Sequence, residues 1–151
     1  MKKFSKAAMC LLAMVMTITA YAAESDLYGR WIQTETEGGV VAIVSYEFNA
    51  DGTMNQMMVL QSSSPKMEIT GDATCNYTYK GNTITFKFKP NDINITKCEI
   101  EGVDPSMVQM VIQQQKQQMS AQEQRLTDVK INGSVLTAKM GKEEITLNKV
   151  Q

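Results

Sequence analysis

"TCNYTYKGNTITFKFK", residues 74–89, decides the fold. Cys75, Tyr77 and Tyr79 alternate with Thr74, Asn76, Thr78 and Lys80. Beyond Gly81-Asn82 the alternation resumes, with Ile84, Phe86 and Phe88 set against Thr83, Thr85, Lys87 and Lys89. A period of two is the mark of a strand with one face buried. Gly81-Asn82 suits a primed two-residue turn, which pairs Lys80 with Thr83. Tyr79 then faces Ile84, Tyr77 faces Phe86 and Cys75 faces Phe88. Turn chemistry and hydrophobic pattern give one register independently, so a hairpin is expected.

The same reasoning extends to the C-terminus. Asn132-Gly133 predicts a hairpin that pairs Ile131 with Ser134, Val129 with Leu136 and Thr127 with Ala138. Gly141-Lys142 predicts another, with Met140 opposite Glu143, Ala138 opposite Ile145 and Leu136 opposite Leu147. Upstream, Val40 to Phe48 is a β-branched and aromatic run that predicts a buried strand. Asn49 to Thr53 is a turn, the stretch from Met54 is a weaker strand, and Ser62-Ser63-Ser64 is loop. Ile93 to Ile100 predicts a strand whose apolar face changes midway, which a bulge near Thr96-Lys97 explains. One segment departs from the β pattern. Asp104 as N-cap and Pro105 at the first helical position open a helix over about residues 105–121, with Val108, Val111, Ile112 and Met119 on one side. The fold expected is all-β, an antiparallel up-and-down barrel of about 8–10 strands with that one inserted helix.

The N-terminus speaks to compartment. Lys2, Lys3 and Lys6 precede an apolar run from Ala7 to Ala20 and then small residues. That is the layout of a secretory signal peptide over residues 1–22, with Ala20 and Ala22 before the cut. The run is too short for a bilayer span of roughly 20 residues. Its removal leaves about 128 residues, enough for one domain, residues 23–151. It also leaves 12 basic against 16 acidic side chains. A mildly acidic chain without a basic cluster argues against nucleic acid and against insertion into or attraction to a membrane. There is no His, which removes the usual general base and the commonest metal ligand. No catalytic set, metal site or cofactor is expected. Glu99 and Glu101, with Asp104 beyond, form a carboxylate group that suits a solvated strand end and a helix cap better than acid/base work or Ca²⁺.

Two cysteines remain after export, Cys75 and Cys98. An oxidising compartment favours a disulfide between them. A flat meander opposes it, since it sets them more than about 15 Å apart where a bridge needs about 7 Å. Both readings stand at this point.

"LYGRWIQ", residues 27–33, carries Gly29-x-Trp31 at the head of the first strand. It resembles the Gly-x-Trp element that opens the barrels of lipocalins and fatty-acid-binding proteins. With "YEFNADGT", "YTYKGNTITF" and the terminal hairpin, the chain looks like the compact lipocalin-like domains exported by Bacteroidetes. The resemblance implies that Gly29 and Trp31 close one barrel end. Lipocalins carry their main helix after the eighth strand, whereas this one falls before the last three. Ligand-binding residues therefore do not transfer.

The inward aromatics Trp31, Tyr46, Phe48, Tyr77, Tyr79, Phe86 and Phe88 either line an apolar cavity or fill the barrel. Met54, Met57, Met58 and Met67 suit adaptable apolar contacts or core filling. The function expected is an exported, non-enzymatic protein that holds a small, mostly apolar molecule in the barrel, with Tyr46, Phe48, Tyr77, Tyr79, Phe86 and Phe88 lining it. The alternative is a filled barrel that serves as a structural or interaction module, with helix 105–121 as the contact for a protein partner.

Overall fold

A computed structural model describes residues 24–151, and the expected leader, residues 1–22, lies outside them. A one-turn helix, α1 (Glu24–Leu27), leads into β1 (Gly29–Glu37), β2 (Val40–Phe48), β3 (Thr53–Ser63) and the long β4 (Lys66–Lys80). There follow β5 (Thr83–Phe86), a short 3₁₀ turn, β6 (Ile93–Ile100), α2 (Pro105–Ala121), β7 (Gln124–Asn132), β8 (Val135–Met140) and β9 (Glu143–Lys149). Eight strands close an antiparallel barrel in the order β1-β2-β3-β4-β5-β7-β8-β9, with β9 returning to β1. The ninth strand, β6, pairs with β4 alone. Closure removes most of the edges that an open sheet would expose.

The opening stretch folds in the expected register: Lys80 pairs Thr83, Tyr79 pairs Ile84 and Tyr77 pairs Phe86. Pairing stops there, so Cys75 faces Met54 of β3 across one edge and no residue of β5 across the other. Gly81 has φ 61° while Asn82 keeps a negative φ, which places the glycine at the first central position of a type II′-like turn. The β8–β9 register is as expected throughout. The β7–β8 hairpin corrects the expectation. Asn132 pairs Val135 and Ile131 pairs Leu136, so the turn is Gly133-Ser134 and not Asn132-Gly133. Gly133, with φ 62°, again takes the first central position. A bulge between Thr127 and Lys130 absorbs the shift, at Asp128 with φ 50°. Asp tolerates that left-handed backbone, and the extra residue keeps both Leu126 and Val129 inside.

β6 has its expected bulge, since Thr70 pairs Lys97 while Gly71 pairs Ile95 and Thr96 is the extra residue. Its neighbour is not the one a flat meander predicts. It lies beside residues 67–73 of β4, far from Thr83. Gly71 permits this approach: a Cβ there would sit 3.0 Å from Ile95 Cδ1 and 3.1 Å from the Asn94 carbonyl oxygen. Helix α2 spans the expected residues, and the Asp104 side chain accepts the Ser106 N–H at 3.0 Å. No residue of α2 is fully buried, because only its Val108, Val111, Ile112 and Met119 side turns toward the sheet. Among the described residues no helix is long and apolar enough to cross a membrane.

Candidate functional site

The barrel has a filled base and a flared rim. At the base, Trp31 is fully buried and donates its indole N–H to the Leu27 carbonyl at 2.8 Å, so α1 plugs the end beneath the ring. Lys149 lies over the same ring, with Nζ 5.3 Å from its centroid. Gly29, at φ 117°, allows the lysine stem to pass, since a Cβ would stand 3.1 Å from Lys149 Cε. Leu27 was not anticipated as core. A Leu two residues before Gly29-x-Trp31, just ahead of a strand that needs a plug, is the signal for it.

Above Trp31 the aromatics fit edge to face. Phe48 meets Tyr77 at 5.1 Å, Phe86 meets Phe88 at 5.5 Å and Tyr46 meets Phe86 at 6.3 Å. Phe48, Phe86 and Phe88 are no more than 2% exposed. The structure thus gathers the six residues expected to line a cavity in or against one core cluster, but packs them instead of leaving a space. Tyr77 donates its hydroxyl to the Asn49 carbonyl at 2.9 Å, and Tyr79 packs half-buried at the turn end. The space that Gln56, Met58, Ala73, Ile93, Ile95 and Met119 share above them is only about 10 Å³, room for one water. The buried Gln56 Oε1 faces no protein donor, a position such a water would satisfy.

The rim differs. β1, β2, β3, β4 and β6 continue past the base as a curved sheet, and the register aligns its inward residues in rows. One row is Gln33, Val44, Met58, Gly71 and Ile95; the next is Glu35, Ala42, Leu60, Ile69 and Cys98; the last is Glu37, Val40, Ser62, Met67 and Ile100. Most of these side chains are half-buried, and Glu35 and Glu37 are exposed. Gln33 donates its amide to Glu35. Burial pushes the Tyr46 hydroxyl up to about 12, and the Glu35 carboxylate adds to the shift. The four methionines divide by strand alternation: Met54 is core, Met58 and Met67 belong to the rows, and Met57 faces solvent.

At the outer corner of the rim, a solvent-open groove of about 520 Å³ runs between β6 and the start of α2. Cys98, Ile100, Val103 and Val108 provide its apolar wall, and Lys66, Glu68, Glu99, Glu101 and Gln109 its polar one. Cys98 and Ile100 also belong to the inward rows, so groove and rim meet.

Of the two readings of the cysteine pair, the structure has the unbridged one. Cys75 and Cys98 are both free thiols. Cys98 pairs with Ile69 on β4, six residues from Cys75, which is about 20 Å along a strand. Burial raises the Cys75 thiol to about 11, with Asp92 adding to it, and burial also raises Cys98. The carboxylates serve structure: Glu101 accepts the Lys66 N–H at 3.1 Å, Glu99 lies 3.9 Å from Lys97 and Asp104 caps α2. Serine capping bonds hold the Asp104 carboxyl below its usual range. Among the described residues no three His, Cys, Asp or Glu side chains gather as a metal site. A scan against protein-family models returns no match to this chain, and no curated protein sequence matches it.

Proposed function

We propose that the chain is a non-enzymatic, exported, lipocalin-like binding protein whose small, mostly apolar ligand sits at the rim. The ligand occupies the groove between β6 and α2 and reaches the adjoining inward rows. It does not enter the aromatic base. One observation carries this reading: the aromatic rings of the base pack against one another, while the groove holds about 520 Å³ beside Ile100, Val103 and Val108. Ligand sites commonly occupy about 300–1,000 Å³ with mostly apolar walls. The Gly29-x-Trp31 element at a plugged end supports the lipocalin-like part.

The test is native mass spectrometry of protein purified from its own host, followed by titration with an apolar fluorescent probe. A co-purified small molecule is expected. Ile100→Glu and Val108→Asp should each lower probe affinity by about tenfold or more without moving the melting temperature much, a loss of about 1.4 kcal/mol. A bare mass together with no saturable probe binding would sink the reading. Binding that responds to Phe86→Leu and ignores the rim variants would return the ligand to the barrel interior.

A second reading rests on α2. Met107 is 57% and Met110 70% exposed, one turn apart on the face turned from the sheet. Flexible methionines on an exposed helix suit a protein partner. Loss of partner capture by Met107→Ser with Met110→Ser, in a protein without ligand, would favour it.

A further inference from the structure

The barrel seam between β1 and β9 is only partly closed. Trp31 pairs Lys149 and Ile32 pairs Asn148, and the ladder ends there. Residues 33–37 of β1 and 143–147 of β9 continue upward side by side with no pairing between them. Among the described residues they face a slit that opens beside the rim.

Antiparallel hydrogen bonding fixes which backbone groups point into the slit. Glu37 and Val40 flank the two-residue turn Gly38-Gly39, so they form a hydrogen-bonded pair. Alternation then commits Glu35, Gln33 and Trp31 to β2 as well. Thr34 and Thr36 direct their N–H and C=O groups outward to the slit. Lower down, Arg30 shares this orientation, and its carbonyl accepts the Val150 N–H at 2.9 Å. On the far side, Met140 and Glu143 flank Gly141-Lys142, so Glu143, Ile145 and Leu147 bond to β8 while Glu144 and Thr146 face the slit. Two short edges thus stand open, each a template for another strand.

The side chains around them are acidic. Glu35 and Glu37 stand on one edge, Glu143 and Glu144 on the other, and all four are exposed. Lys142 at the β8–β9 turn opposes them, while the nearby Lys139 is engaged by Asp128 at 3.4 Å. A strand that enters meets unpaired peptide groups and a net negative field.

We infer that the slit is a docking edge for an extended, basic segment of a partner protein, which adds as a strand along Thr34 and Thr36. Main-chain hydrogen bonds supply the affinity, and basic side chains at alternate positions meet Glu35, Glu37 and Glu143, which share one face. The inference is independent of the ligand proposed for the groove.

The test uses three synthetic peptides with the purified protein. One alternates Lys and Val, one has the same composition in two blocks, and one is the alternating peptide N-methylated at every second residue. The alternating peptide should bind saturably, slow amide exchange at Thr34 and Thr36, and weaken as salt rises. The other two should bind at least about tenfold more weakly, since the methylated one lacks the donors for the ladder and the blocked one cannot set its charges at alternate positions. Glu143→Gln with Glu144→Gln should also weaken binding and leave the fold intact. Equal binding of all three peptides would reduce the site to plain charge attraction and overturn the inference. So would absence of binding, unchanged exchange at Thr34 and Thr36, or a dimer of the protein alone that protects those amides.

Discussion

The base and the rim of this barrel are built from the same strands with opposite results. At the base, α1 seals the end under Trp31, Tyr46 packs on both Phe48 and Phe86, and large rings consume the interior of an eight-stranded barrel. At the rim the same strands carry Val40, Ala42, Leu60 and Ile69, whose smaller side chains do not reach across and stay half-buried. Volume per inward position, more than hydrophobicity, separates the end that holds the fold from the end that has room. Helix α2 belongs to the second region, since only one stripe of it meets β6.

The contrast breaks most visibly at Trp31. Trp31→Ala should cost about 3–5 kcal/mol, as removal of a fully buried aromatic does. Leu60→Ala at the rim should cost about 1 kcal/mol, because a half-buried chain leaves little cavity. Paired denaturant melts of the two variants decide this, and equal losses would erase the distinction between base and rim.

Gly71→Ala comes next. The added methyl meets the Asn94 carbonyl, which is backbone and cannot swing aside. A loss of about 1–3 kcal/mol is expected. Amide exchange should speed up along β6 and stay unchanged in β8 and β9. Uniform loss of protection would instead make β6 part of the base.

Tyr46 stands at the boundary and gives a pH signature. Its folded-state value of about 12 lies above the ordinary 10.0. The folded protein therefore holds this proton more tightly than the unfolded chain does. Its contribution, about 3 kcal/mol, is complete below about pH 10 and is lost as pH rises toward 12. Tyrosinate absorbance should show one late-titrating group that Tyr46→Phe removes. A full tyrosinate signal by about pH 11 in folded protein would place the ring in water.

The thiols give the smallest energetic effect. Cys98 at the rim should react with a thiol reagent well before Cys75 at the base, whose buried thiol titrates near 11. Cys98→Ser should change stability by less than about 0.5 kcal/mol. A reductant that lowers the melting temperature would reveal a bridge.

Where local chemistry was sufficient, the chain was legible residue by residue. Gly81-Asn82 and Gly141-Lys142 set both of their registers, and Asp104-Pro105 set the start of α2. The shift of a third turn to Gly133-Ser134 carried a readable signal. Leu126 and Val129 stand three apart, which strict alternation cannot bury, and the turns at Gly81-Asn82 and Gly141-Lys142 also put glycine first. Periodicity alone was satisfied by either register, because a bulge at Asp128 restores the inward face.

The amino-acid order by itself determined most of the strands, though not those of residues 62–73, together with the long helix and the apolar faces, since these depend on neighbours a few residues apart. Only the tertiary structure decided that β6 joins the upper half of β4, that Cys75 and Cys98 lie apart, that the rings fill the base and that the β1–β9 seam stays open. Those outcomes come from the closure of eight strands around a common volume. Each depends on the summed size and stagger of side chains distant in the chain, which no single stretch contains.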